Sequence, residues 1–124
     1  MSRWVILRNR TRNQSFVVRA RWCSSFACKL RGLSLQRPIP SGTGLILVER
    51  GESRWGTAIH MVGMLFALGV VWLDGDGRVV DVCRADPWRI YVPQAPARFT
   101  LEGLPEILDR VAVDDVLDVS DADS

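Results

Sequence analysis

Thirteen residues from Met61 to Leu73, MVGMLFALGVVWL, carry no charge and stop at Asp74-Gly75-Asp76-Gly77. This run constrains the fold more than any other stretch. A membrane-spanning helix needs roughly 18 or more apolar residues, and shorter runs are usually core. The run ends on Gly69-Val70-Val71-Trp72-Leu73, which is β-branched and aromatic. Such a segment bounded by a turn reads as a buried strand. The glycines after Asp74 and Asp76 supply the positive φ of a tight turn, and Arg78 to Arg84 returns as the partner strand. No membrane association is expected.

The rest of the chain repeats short strands and turns. Trp4–Arg8 and Ser15–Arg21, joined by a polar connection, predict an opening hairpin. Ser24 or Ser25 can cap a short helix through Leu35, with Phe26, Leu30 and Leu33 on one stripe. The Pro38–Gly44 stretch is a loop, because neither a helix nor a central strand tolerates that composition. Leu45–Val48 is a short buried strand, and Glu49–Trp55 is charged and expected to be flexible. Thr57–Met61 and Arg98–Leu101 are further strands, separated by an irregular connection through Pro87, Pro93 and Pro96. Gly103-Leu104-Pro105-Glu106 begins a helix that runs to about Arg110. Asp114-Asp115 turns the chain into a last strand, Val116–Val119. The expectation is one domain over residues 1–120 and a disordered acidic tail at 121–124. Its class is mainly β: a jelly-roll-like sandwich or barrel with two short helices. A chain of 124 residues with 48% apolar content can hold such a core without staples.

Charge is unevenly placed. The net charge is +2, yet no acid precedes Glu49, while nine basic residues do, from Arg3 to Arg37. From Leu101 onward eight acids face one base, Arg110. Such asymmetry can mark a nucleic-acid-binding arm. The arginines alternate with apolar residues, however, so the better expectation is that the two ends lie together and neutralise each other. No zinc finger, basic zipper or aromatic RNA-reading motif is present. Nucleic acid is therefore not the expected partner.

Cys23, Cys28 and Cys83 form no dense framework and suggest free thiols in a reducing compartment. In MSRWVILRNRTR the arginines return after only four apolar residues, which is not an export signal. Both readings point to the cytoplasm.

Several stretches together resemble a known family. They are Lys29-Leu30-Arg31-Gly32-Leu33-Ser34-Leu35-Gln36-Arg37, Gly44-Leu45-Ile46-Leu47, Ile59 to Asp74, Asp86-Pro87-Trp88-Arg89, and Leu101-Glu102 with Leu104-Pro105. Their order and spacing, from about Val17 to Val119, resemble domain of unknown function 192 of bacteria and archaea. The resemblance implies a compact, mostly β domain and no established reaction. The chain departs from the family pattern at Met61, where a polar residue is usual, and at Ala67, where Pro is usual. Gly69 replaces an Asp of the central strand, and Asp114 replaces the glycine of a terminal turn. It resembles a divergent member with a weakened polar site.

The candidates for chemistry are few. His60 has an unperturbed pKa suited to proton transfer, but no orienting partner lies near it in sequence. A structural role outweighs a catalytic one, and no catalytic residue is assigned. Cys23 and Cys28 stand five apart, outside zinc-knuckle spacing, and one histidine undercuts a metal site. Asp74-Gly75-Asp76-Gly77-Arg78 starts like a calcium loop but places Arg78 and Ala85 at ligand positions. Gly32-Leu33-Ser34-Leu35-Gln36 lacks the last glycine of a nucleophile elbow. No metal or cofactor is expected.

Trp72 reads as core, whereas Trp55 and Trp88 lie in loops, where exposed rings mark binding surfaces. The candidate ligand-binding set is His60, Arg31, Trp88, Arg89 and Met64, with Glu102 as a possible ion partner for one of the arginines. The leading expectation is a non-enzymatic accessory domain that binds a small polar or anionic ligand or a partner protein. A His60-dependent hydrolase and a nucleic-acid-binding module built on the arginine-rich half are the alternatives.

Overall fold

The computed structural model describes residues 3–25 and 40–122, and for residues 14–18 the backbone alone. The strands are β1 Arg3–Asn9, β2 Gln14–Cys23, β3 Thr43–Ser53, β4 Ile59–His60, β5 Leu68–Leu73, β6 Val79–Ala85, β7 Ile90–Tyr91, β8 Ala97–Gly103 and β9 Leu117–Asp121. A 3₁₀ helix spans Pro105–Arg110. The protein is mainly β, as the sequence predicts. The helix expected from Ser24 or Ser25 to Leu35 lies almost wholly outside the described residues.

Seven strands form one sheet in the order β6-β5-β8-β3-β2-β1-β9, and β4 and β7 pair as a separate ribbon. The pairs are antiparallel except for β2 with β3. The sheet curls into a half-barrel because its two edge strands approach at one end. There Arg78 bridges Val116, Leu117 N–H donates to the Gly77 carbonyl, and Val79 N–H donates to the Asp115 carbonyl. Gly77 has a φ of +87°, and a Cβ on it would lie 2.6 Å from the Leu117 carbonyl oxygen. Only glycine satisfies both demands.

Around β5 the sheet buries both faces. Inside the curl Val5, Leu7, Ala20, Ile46, Val71, Leu101 and Leu117 pack together, closed at one end by Ile107 of the 3₁₀ helix. On the other face Cys23, Leu45, Leu68, Val70 and Trp72 pack under Ile59, Met61 and Met64. This is why β5 is buried at every residue rather than at alternate ones. Trp72 is core, and its indole N–H donates to the Thr57 carbonyl at 2.8 Å, which anchors the turn before β4.

The charge asymmetry resolves as complementarity. β1 pairs with β9, so Arg3 meets Asp121, Arg10 meets Asp118 and Arg12 meets Asp115. Arg3 and Arg19 also lie over the rings of Trp22 and Trp4, at 4.3 and 4.5 Å from the ring centroids. Of these three aspartates Asp115 is the buried one. Its carboxylate accepts hydrogen bonds from the Asn9 amide, the Arg12 guanidinium and the Ala112 backbone N–H. Burial alone would push this carboxyl up; those three donors outweigh it and hold it below the usual range.

Four expectations need correction. β3 continues to Ser53, so the segment from Glu49 is not a flexible loop at its start. The tail expected to be disordered from Asp121 instead has Asp121 paired with Val5 and Ala122 N–H donating to the Trp4 carbonyl. Cys23 is disulfide-bonded, while Cys83 is a free thiol. Free thiols therefore no longer argue for a reducing compartment. The connection between β6 and β8 also contains β7, which sequence periodicity is too short to reveal. Among the described residues no helix is long and apolar enough to cross a membrane.

Candidate functional site

The candidate residues converge on the two-stranded ribbon. In β4 strand alternation buries Ile59 and turns His60 outward. The cross-strand pairs are Ile59 with Tyr91 and His60 with Ile90. One step further, Met61 N–H donates to the Arg89 carbonyl at 2.7 Å, and Trp88 N–H donates to the Met61 carbonyl at 2.8 Å. Two residues thus oppose one, which is a bulge. The first bulge residue, Trp88, has a φ of +68°. Glycine normally takes that left-handed conformation, and an L side chain costs roughly 1–2 kcal/mol there.

The strained residue is also an exposed one. The Trp88 residue keeps 65% of its surface in solvent, and Ile90 keeps 71%. The segment after Met61 adds to the same region. Met64 N–H donates to the Met61 carbonyl, and Gly63 sits at a φ of +84°. This turn sends Met61 and Met64 into the core and leaves Val62 and Leu65 outside at 49% and 77% exposure. Arg89 is exposed and makes no ion pair among the described residues. The backbone therefore gathers His60, Val62, Trp88, Arg89 and Ile90 around the hydrogen bonds of one residue, Met61. Trp55, on the turn leading toward β4, is 75% exposed.

Of the residues singled out in the sequence, His60, Trp88 and Arg89 share this surface. Met64 lies beneath it as core, and Arg31 lies outside the described residues. Glu102 makes no ion pair with Arg89, and a pairing with Arg31 lies outside the described residues. Among them, too, no carboxylate is hydrogen-bonded to the His60 ring, and no three of His, Cys, Asp or Glu are grouped to hold a metal ion. The half-buried Cys83 thiol is pushed up to about 11, first by burial and then by Asp81 and Asp86, which makes it a poor nucleophile at neutral pH.

Sequence reading missed Val62, Leu65 and Ile90 as surface groups. Gly63 was the available signal, since a glycine inside an apolar run can reverse which side chains face inward.

The comparisons with known proteins agree with the motif pattern. A family model for domain of unknown function 192, described as an uncharacterized ACR, matches residues 7–119. The chain belongs to the DUF192 family. A UPF0127 protein of Pyrococcus horikoshii, PH1112, is 37% identical over 95 residues, covering 77% of this chain and 80% of that protein. TK1120 of Thermococcus kodakarensis is 31% identical, covering 86% of this chain and 67% of its own length. The chain spans 66% of a further relative, from Thermococcus sibiricus.

Two crystal structures share the DUF192 chain's fold. One is a candidate transcription regulator from Sinorhizobium meliloti 1021, with a TM-score of 0.82, 16% identity and coverage of 96% of this chain and 94% of that one. The other is a protein of unknown function from Novosphingobium aromaticivorans, with a TM-score of 0.78, 16% identity and coverage of 94% and 84%. At that identity the likeness is one of fold.

Proposed function

We propose that this DUF192 protein is a non-enzymatic binding domain whose recognition surface is the outer side of the β4–β7 ribbon and the adjoining Val62–Leu65 turn, and whose partner is another protein. The observation that carries the reading is Trp88: a large apolar ring held in solvent by a backbone conformation that L residues avoid. Strained backbone of this kind concentrates at functional sites. Trp and Arg are the residue types enriched where binding energy concentrates, and here they are consecutive. Exposed apolar side chains around them give a docking patch its core, while His60 and Arg89 give it a polar rim. The complementary partner presents one or two apolar side chains to Trp88 and Ile90 and a carboxylate to Arg89.

Two observations favour a protein over a nucleic acid. The N-terminal arginines Arg3, Arg10 and Arg12 are engaged by aspartates of the C-terminal segment. Arg3 and Arg19 lie over indole rings, with their faces directed to those rings rather than to a phosphate track.

The test places a photo-crosslinking residue at Ile90 in the cell of origin and compares the adduct with that of a Trp88→Ser background. One reproducible protein adduct, lost in the Trp88→Ser protein while thermal stability is kept, supports the reading. Absence of an adduct, or an adduct indifferent to Trp88, refutes it. Stabilisation by phosphate or acetate that vanishes in Arg89→Ala but survives Trp88→Ser would replace the partner protein with a small anion.

A further inference from the structure

The β4–β7 ribbon offers main-chain groups as well as side chains. In an antiparallel pair each residue turns its N–H and its C=O to one side, and consecutive residues alternate. Met61 spends both groups on β7: its N–H donates to the Arg89 carbonyl, and its carbonyl accepts from the Trp88 N–H. Two residues back, Ile59 therefore bonds to its partner Tyr91, whereas His60 and Ile90 stand opposite each other without exchanging hydrogen bonds. The N–H and C=O of Ile90 point to the free edge of β7, and no hydrogen bond engages them among the described residues. Ile90 itself is 71% exposed.

The edges of the seven-stranded sheet are equipped differently. β6 ends it on one side, and there the Val82 N–H donates to the Asp81 carboxylate at 2.8 Å, which also accepts from the Gln94 N–H at 3.0 Å. β9 ends it on the other. Its Leu117 N–H is taken by the Gly77 carbonyl, and its remaining length carries Asp118 and Asp121, both in ion pairs. Capped donors and charged side chains are how edge strands resist pairing. At Ile90 β7 has neither; it displays a β-branched side chain, the type that suits a strand with a neighbour. We propose that the partner docks as an added strand: a short extended segment that hydrogen-bonds to the free edge of β7 at Ile90. This rests on the binding-surface reading and gives the partner its conformation. Strand addition draws affinity from main-chain hydrogen bonds and specificity from alternate side chains. An apolar residue of the segment packs beside Ile90 and Trp88, and an acidic one answers Arg89, which makes no ion pair among the described residues. Pro93 has no N–H to give, so the paired stretch is short.

The probe is a photo-crosslinking residue at Leu65, on the adjoining turn, in the cell of origin, combined with Ile90→Val or Ile90→Pro. Valine keeps the N–H and a branched side chain; proline keeps an apolar side chain and removes the N–H. The crosslinked segment is mapped by peptide mass spectrometry, synthesised, and titrated into the purified protein, both unmodified and with one backbone N–H at a time methylated. The expected adduct depends on Trp88, survives Ile90→Val and is lost in Ile90→Pro at an unchanged melting temperature. Methylation at every second residue of the segment weakens binding about three- to tenfold, the scale of one lost hydrogen bond. Bound peptide slows hydrogen exchange at the Ile90 amide and leaves that of His60 unchanged. If Ile90→Pro does not fold, the methylated series and the exchange measurement carry the same test. A Trp88-dependent adduct that Ile90→Pro retains, binding without the alternating sensitivity to methylation, or slowed exchange at His60 alone overturns strand addition and leaves the ribbon as a docking surface. No adduct at all removes both.

Discussion

Gly69 on β5 lies directly against Ile107 of the 3₁₀ helix: a Cβ built on the glycine would be 2.8 Å from the Ile107 Cγ1 and equally close to the Leu104 carbonyl oxygen. Gly69 also pairs with Gly103, which pairs with Gly44, so three glycines run side by side at that end of the curl. Ile107 of the helix settles against Gly69 and Gly103.

Substitution of Gly69 by Ala should therefore lower stability by about 1–3 kcal/mol through overpacking. Combining it with Ile107→Ala should give a coupling of about 1 kcal/mol, because one of the two clashes disappears. The Leu104 carbonyl remains, so rescue stays partial. Chemical denaturation of the four proteins checks this; purely additive losses would mean that the two residues do not press on each other.

Trp88 tests the opposite situation. Trp88→Gly removes an exposed ring and relieves the left-handed strain, worth roughly 1–2 kcal/mol, against the greater chain entropy of glycine. Stability should stay within about 1 kcal/mol of the parent or rise. A loss above about 2 kcal/mol in thermal or urea unfolding would make Trp88 a packing residue rather than a displayed one.

Glu102 gives stability a pH dependence of unusual sign. Its folded value of about 7 lies above the ordinary 4.5, so the folded state holds a proton that the unfolded chain has already released between those values. Its contribution is complete below about pH 4.5 and is lost as pH rises through 7, by an amount on the order of 3 kcal/mol. Urea midpoints of the parent and Glu102→Gln should diverge across that window, with the parent falling faster. Parallel profiles would place the carboxyl in a solvated or paired setting.

Asp115 carries the reverse dependence. Its folded value lies below the ordinary 3.8, so its contribution is present above that range and is lost as pH falls through the folded value. Asp115→Ala should cost about 2–4 kcal/mol at pH 7, since Asn9, Arg12 and the Ala112 N–H all lose their acceptor. Denaturation at pH 7 and pH 3 separates the effects: the variant's deficit should shrink in acid, and a deficit that does not shrink would mean the carboxylate charge is irrelevant.

Much of the strand order along the chain was legible because its signals are local. β5 announced itself by length, branching and the Asp74–Gly77 turn, and the 3₁₀ helix by Pro105 and Glu106 at its start. Arg3, Arg10 and Arg12 foretold acidic partners because no acid lies near them in sequence. His60, Trp88 and Arg89 were recognisable as candidates by residue type. Trp88's conformation was not, because a positive φ at tryptophan follows from the pairing of Met61 with two residues at once.

The sequence by itself determined a mainly β chain, its family and the buried central strand, since residue type, periodicity and turn chemistry act over a few neighbours. Only the tertiary structure decided that Glu102 is buried between Leu45 and Val70, that Val62 and Leu65 face out while Met61 and Met64 face in, and that Gly69 must be small. Those properties depend on which strands become neighbours in the sheet and on what packs across them, and that is set by contacts between residues far apart in the chain.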